Sequence, residues 1–324
     1  MQLDLSQDTY YSGDYISLYL KKGEELFVFK YKEGDKLFIN KAIKRPIINI
    51  GKEKIIDRYF DLETAYGYGG YYVNNNDTSF LERALSDYKR RCESENIIAE
   101  FIRFHPFNNF PQINDKYLNF NFNDRKVVIV DLSQDIFKSY KAKVRNTVKR
   151  ATEKVEIRES ENIDLFIELY NKTMDKNNAT DFYFFDKELY ISLKKLDDVE
   201  LYEVIFENEI IAMGFFMFGK DIAHYHLSAN SDLSYKLNSN YALLNYMFNI
   251  AKEKGLNYFL LGGGTTSDID DTLLKYKQKF SPLTKSFFIS GNIFNKEIYD
   301  KYILIWESQT NKNIKYFLKY RLDI

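Results

Sequence analysis

Three groups of side chains in this sequence have the types and spacing to act on a substrate. The first is Lys275-Tyr276-Lys277-Gln278-Lys279-Phe280. Read as a helix, it sets Tyr276 and Phe280 four apart on one face and Lys277 on another side. A lysine so placed can stabilise the oxyanion formed when an amine attacks an ester or thioester carbonyl. An exposed lysine on an amphipathic helix has the same pattern. The second group is histidine. His105 ends a strand in Arg103-Phe104-His105-Pro106 and titrates near neutrality, so it suits a base or a structural hydrogen bonder. His224 and His226 alternate on one strand and read as facing the same side. With no cysteine and no further histidine nearby they make a poor zinc site, and no metal is expected. His226 is the better placed for a reacting group. The third group is basic: Lys138, Lys141, Arg145 and Lys149 recur three and four apart along a helix read over Gln134–Glu153, after a cap at Ser133. Such a stripe suits phosphate oxygens. It equally suits a solvated face whose cations favour the helix C-terminus.

Two loops add candidates. In Ala65–Gly70, AYGYGG, glycines such as Gly69 let backbone approach a ligand, and Tyr66 and Tyr68 can stack on a sugar or base. Arg103 would supply a cation nearby. Asn238-Ser239-Asn240 precede a helix over Tyr241–Lys254, where they would cap it and leave its first amides free for a phosphate group.

The elements that must position these groups follow from pattern. Phe27, Phe29 and Tyr31 alternate as in a strand, with turn residues at Glu33-Gly34-Asp35. A helix over Ser79–Ser94, strands at Ile97–Phe104 and Lys126–Val130, and helices at Ile163–Met174 and Lys187–Lys194 follow. From about Glu200 to Gly291 the order is strand, strand, strand, helix, strand, helix, strand, with Gly262-Gly263-Gly264 after the strand Tyr258–Leu261. Phe287–Phe294 reads as a strand and Lys296–Glu307 as a helix carrying the single Trp306.

A chain of 324 residues with 45% hydrophobic content predicts two cores. The 17% aromatic content rises together with Lys, Asn and Ile, as base composition alone produces in AT-rich genomes. A net charge of −1 leaves no whole-chain footprint for nucleic acid. Cys92 is the only cysteine, so no internal disulfide forms and a reducing compartment fits. The N-terminus lacks the pattern of a secretory signal, and no apolar run is long enough to span a bilayer. The expected location is the cytoplasm, with peripheral attachment to a membrane left open.

Taken in order, these segments resemble the FemABX group and its CelD/BioF-like relatives in the GNAT superfamily. LLKYKQKF is similar to an aromatic-Lys-x-x-Phe motif near the end of the second domain, with Tyr276 in the aromatic position. KAKVRNTVKRA (Lys141–Ala151) is similar to the basic helix before that domain, and AYGYGG and RFHP resemble first-domain motifs. The resemblance implies an α/β (α+β) fold of two GNAT-like domains, each a central mixed sheet flanked by helices. They are placed at 1–158 (acceptor-binding) and 159–291 (acyl transfer), followed by an extension at 292–324. It implies an acyltransferase, with Lys277 near the reacting carbonyl. The donor would be acyl-CoA, or an aminoacyl-tRNA in a Fem-like alternative. The acceptor would be an amine or hydroxyl of a sugar, nucleotide-linked sugar or envelope precursor. Two departures stand out: the loop before Tyr241 has no glycine of the usual pyrophosphate signature, and Ser281 follows Phe280 where many members have glycine. A non-catalytic protein that binds a nucleotide-linked glycan is the reading from a different class.

Overall fold

Apolar residues at a period of two make the first strand, β1 (Glu25–Glu33), which pairs antiparallel with β2 (Lys36–Pro46) around Gly34 at φ +56°. The computed structural model describes residues 3–324. It divides into unit one, Met1–Thr9 with Arg125–Lys285, and unit two, Tyr10–Asp124 with Ser286–Ile324. The boundaries at 158 and 291 expected from the sequence do not coincide with these. The helix taken to end the first domain packs inside unit one, and the C-terminal segment completes unit two.

Unit two begins with helix α1 (Gly13–Ser17) and strands β1 and β2. Strands β3 (Asn49–Ile50) and β4 (Glu53–Lys54) form a small separate hairpin, and β5 (Phe60–Glu63) and β6 (Tyr72–Val73) follow. Helix α2 (Thr78–Ser94) is capped by the Asp77 carboxylate. It buries Phe80, Leu81, Ala84, Tyr88 and Cys92, one stripe at helical spacing, against the sheet. It leads to β7 (Ile97–Arg103), buried along nearly its whole length, and then to the short helix α3 (Phe110–Ile113).

The chain then passes through β8 (Phe120–Asp131) into unit one. Helices α4 (Ile136–Ser139) and α5 (Ala142–Thr152) replace the single helix expected over this region. The cap is Asp135 rather than Ser133, and Tyr140 is extended (φ −65°, ψ 145°), with its ring buried edge-on to Phe280. Anchoring that ring in the core breaks the helix. Strand β9 (Glu156–Glu159), helices α6 (Ile163–Lys176) and α7 (Lys187–Lys194), and strands β10 (Val199–Phe206), β11 (Glu209–Phe218) and β12 (Ile222–Asn230) follow. Helices α8 (Asp232–Leu237) and α9 (Ser239–Glu253) lead to β13 (Tyr258–Gly263) and helix α10 (Thr272–Lys277). Val144 and Val148 of α5 share one apolar core with Leu243, Leu244 and Met247 of α9. Strand β14 (Thr284–Ile293) and helix α11 (Lys296–Ser308) return the chain to unit two, where Trp306 is buried and donates to the Leu322 carbonyl at 2.9 Å.

The two units repeat one topology. Unit two runs β1-β2-β5-β7-β14, and unit one runs β10-β11-β12-β13-β8 with β9 outside β10. In both, the pairings are antiparallel, antiparallel, parallel, antiparallel. A helical crossover joins the parallel pair, α2 in one case and α8–α9 in the other. The closing strands are exchanged: β8 follows β7 in the chain but pairs with β13, and β14 follows β13 but pairs with β7.

Candidate active site

Strands β12 and β13 are paired only at Ile222–Tyr258, Ala223–Phe259 and His224–Leu260. Past that point residues 225–230 stay with β11 and residues 261–263 stay with β8, so the two strands splay. Each carries a bulge where they part. On β12, Phe215 faces Leu227 and Phe216 faces Tyr225, leaving His226 as the extra residue. On β13 the register slips between Leu260 and Gly262. A bulge bends its strand and re-aims side chains, a common device beside active sites. It also breaks the simple alternation that would set His224 and His226 on one face. His224 is buried, with Nε2 2.7 Å from the Asp8 carboxylate. Burial first, and His224 second, push the His226 imidazole down to about 3, so it is neutral at physiological pH.

Lys277 is the last residue of α10, and its ammonium donates to the Gly263 carbonyl, the end of β13, at 2.7 Å. Burial lowers its pKa to about 8, and the Asp271 carboxylate acts against that fall. Beside it, Tyr276 lies edge-on to Tyr241 and Phe280, and its hydroxyl has no hydrogen-bond partner among the described residues. Burial holds that phenol well above its usual range, so it stays a donor. The loop between β13 and α10 is tied down twice. The Arg125 guanidinium of β8 donates to the carbonyls of Gly264 (3.1 Å) and Thr265 (3.2 Å). Asp271 grips the loop from the other side, and sequence reading singled out neither residue. The signal for Asp271 was an acid directly before a helical Thr-Leu-Leu, the pattern of an N-cap.

The segment before α9 is a second departure from expectation. DLSYKL forms helix α8, not a loop. Asn238 joins the two helices in the left-handed region (φ 56°, ψ 33°) and makes no side-chain cap. Ser239 is buried and shares a 2.7 Å hydrogen bond with Ser234 of α8, while the Tyr241 amide donates to the Asn238 carbonyl. The Asn240 Oδ1 is buried without a partner among the described residues. An anion site needs free amides and a turn open to the ligand. Here α8 abuts the turn and engages the Ser239 hydroxyl, a departure from an open phosphate-binding turn.

The basic stripe is also divided. Lys138 lies on α4, and Arg145 donates to the carbonyls of Tyr140 and Lys138, closing the break between the two helices. Lys141 and Lys149 are exposed.

The remaining candidates, Tyr66, Tyr68, Gly69, Arg103 and His105, lie in unit two. There the loop 64–70 follows β7 to its end: the Gly69 amide donates to the Arg103 carbonyl and the His105 amide to that of Gly69. This fills the position where the equivalent strands of unit one splay. Its glycines admit the protein's own rings, since a Cβ on Gly67 would lie 2.2 Å from Tyr10 and one on Gly70 2.5 Å from Phe104. Tyr66 stacks on Tyr19, and Tyr68 lies edge-on to Tyr10, His105 and Phe287. The Arg103 guanidinium binds Glu63 and the carbonyls of Thr64 and Ala65. His105 is fully buried, and its Nδ1 accepts the Phe107 amide at 3.2 Å.

A splayed parallel pair with a lysine at its mouth is the architecture of an acyltransferase. Residues 138–278 match the family model described as "Acetyltransferase (GNAT) domain". The fold is similar to that of FemX over 92% of this chain and 94% of that one, at 14% identity and a TM-score of 0.70. It is also similar to the C-terminal domain (DUF2156) of a putative lysylphosphatidylglycerol synthetase from Agrobacterium fabrum, with 15% identity, 94% and 93% coverage and a TM-score of 0.55. The L-PGS of Bacillus licheniformis gives 14% identity, 87% and 88% coverage and a TM-score of 0.55. No curated protein matches the chain in sequence. The chain thus carries a GNAT acetyltransferase domain over residues 138–278, in a fold like that of FemX.

Proposed function

We propose that this protein transfers an aminoacyl group from the ester of an aminoacyl-tRNA to an amine of a cell-envelope component, such as a nucleotide-linked precursor. The amine nitrogen attacks the ester carbonyl carbon in the splay between β12 and β13. Negative charge gathers on the carbonyl oxygen, and the Lys277 ammonium donates a hydrogen bond to it. When the intermediate collapses the C–O ester bond breaks, and the proton lost by the attacking nitrogen passes to the ribose oxygen. A neutral His226 beside the splay is suited to relaying that proton and not to storing it. His105, with Nδ1 committed to a backbone amide, is less suited. Lys141, just before α5, and Lys149 on it are exposed and would meet phosphates of the donor.

The observation that carries this reading is Lys277, a desolvated cation held at the mouth of the splay by the Gly263 carbonyl. The closed junction before α9 favours an ester donor over coenzyme A. The full-length likeness to FemX, and to synthetases whose names specify lysyl transfer to a lipid, is in keeping with it. An acyl-CoA donor is the second reading, favoured by the GNAT family match.

Mass spectrometry of reactions pairing charged tRNAs and acyl-CoAs with amino-sugar nucleotides and envelope precursors decides between them. Product from charged tRNA, with binding that weakens steeply as salt rises, supports the proposal. Product from acyl-CoA alone replaces it with the second reading, and no product from either donor leaves a binding protein.

A further inference from the structure

The Asp271 carboxylate divides its two oxygens between two tasks. Oδ1 accepts the amides of Leu273 and Leu274, both at 2.9 Å, and so caps α10. Oδ2 accepts the Thr265 hydroxyl at 2.8 Å, the Thr266 amide at 3.0 Å and the Thr266 hydroxyl at 3.1 Å. A helix of six residues needs only the first set. The second set spans the loop after β13. That loop is packed onto the carboxylate so closely that a Cβ on Gly264 would sit 2.3 Å from Oδ1.

We infer that Asp271 is a positioning residue: it locks the Gly263–Thr266 loop to α10, so that the Gly263 carbonyl and the Lys277 ammonium keep one geometry at the mouth of the splay. This rests on the reading of Lys277 as the group that meets the reacting carbonyl. The charged groups facing that site are Asp271 itself and Arg125 of β8, which holds the other side of the same loop. Three hydrogen bonds to the loop and two to the helix meet on one carboxylate, tying the loop to α10 beside the lysine. Although burial pushes the Asp271 carboxyl up, these donors keep it well below the usual range, so the grip persists across physiological pH.

The test needs neither donor nor acceptor, so it fails independently of the proposed reaction. Trace acetylation of the purified protein with acetic anhydride, resolved by peptide mass spectrometry across pH, reports the titration of Lys277, with exposed Lys143 as internal reference. The wild-type midpoint is expected near 8. The double variant Thr265→Val/Thr266→Val changes two exposed side chains and keeps the Asp271 charge and helix cap. Its loosened loop admits water, and the Lys277 midpoint rises by about one unit or more toward an ordinary lysine, with about a fivefold fall in labelling at pH 8 for a one-unit rise. Asp271→Ser keeps a capping oxygen and loses the loop. Because it also removes the carboxylate that holds the Lys277 pKa up, the Lys277 midpoint is expected to rise less than in the threonine variant. If circular dichroism shows both variants folded and the Lys277 profile stays at the wild-type position, Asp271 is a helix cap and nothing more. If Asp271→Ser does not fold, the threonine variant alone decides.

Discussion

In the proposed reaction Lys277 would act through one number and one contact. Held near 8 by burial, it is mostly charged at neutral pH and loses its proton just above. The rate should therefore fall above pH 8 as the cation is lost, provided the acceptor amine is neutral there. Lys277→Met should cost about a hundredfold or more in kcat, the scale of losing an oxyanion donor, with binding largely kept. Lys277→Arg should retain part of the rate and lose the alkaline limb, because a guanidinium does not titrate in that range. Steady-state rates from pH 6 to 10 check all three.

A second residue, in unit two, is shifted by the same cause, burial, acting on an acid. Glu100 of β7 is buried, accepting from Asn40 at 2.6 Å and Tyr71 at 2.5 Å, and burial pushes it up to about 7 despite those donors. Its folded pKa lies above the unfolded one. The stability it contributes is full below pH 4.5 and is lost as pH rises to about 7. Urea unfolding at pH 5 and pH 8 should show a difference on the order of 3 kcal/mol from this group, absent in Glu100→Gln.

At the scale of elements, loops did more than the sequence disclosed. In AYGYGG, Gly67 sits at φ +93° under the Tyr10 ring. Gly67→Ala should lower stability by roughly 1–3 kcal/mol, read as a drop in Tm, whether or not a ligand binds there. Helices with a clean apolar stripe were legible: Lys187–Lys194 has the bounds read from its pattern, and α9 differs from its reading by two residues at the start and one at the end. The break at Tyr140 was not, because lysines and arginines on both sides keep helical spacing and only tertiary burial of the ring interrupts them. Helix α8 was missed because Asp-Leu-Ser before Asn-Ser-Asn carries turn chemistry, and its first turn is stabilised by Ser231 and by contacts with β11 and β12. Lys277 was visible as a motif. Arg125 acts through backbone carbonyls, and Asp271 through amides and two threonine hydroxyls of an irregular loop, contacts that leave no trace in helical or strand spacing.

For the whole molecule, the sequence showed two sets of strands and helices but not which strand pairs with which, since alternation specifies a strand and not its neighbour. The C-terminal segment is pinned within unit two by Arg321, which bridges to the fully buried Asp61 at 2.7 Å and donates to the carbonyls of Pro46 and Arg45. Asp61 also holds Arg45 at 2.8 Å. Arg321→Ala should destabilise the protein by about 1–3 kcal/mol, measured by chemical unfolding, since one charge partner remains.

The exchange of closing strands has a temporal meaning. Arg103 of β7 pairs with Ile289, about 190 positions later. A ribosome adding roughly 5–20 residues per second delivers that partner some ten to forty seconds after β7 emerges. Throughout that interval the strand at the heart of unit two has an open edge, and residues 125–285, which hold nearly all of unit one, are made before it closes. A chain that stops at residue 285 would leave nearly all of unit one tethered to an adhesive, unfinished sheet.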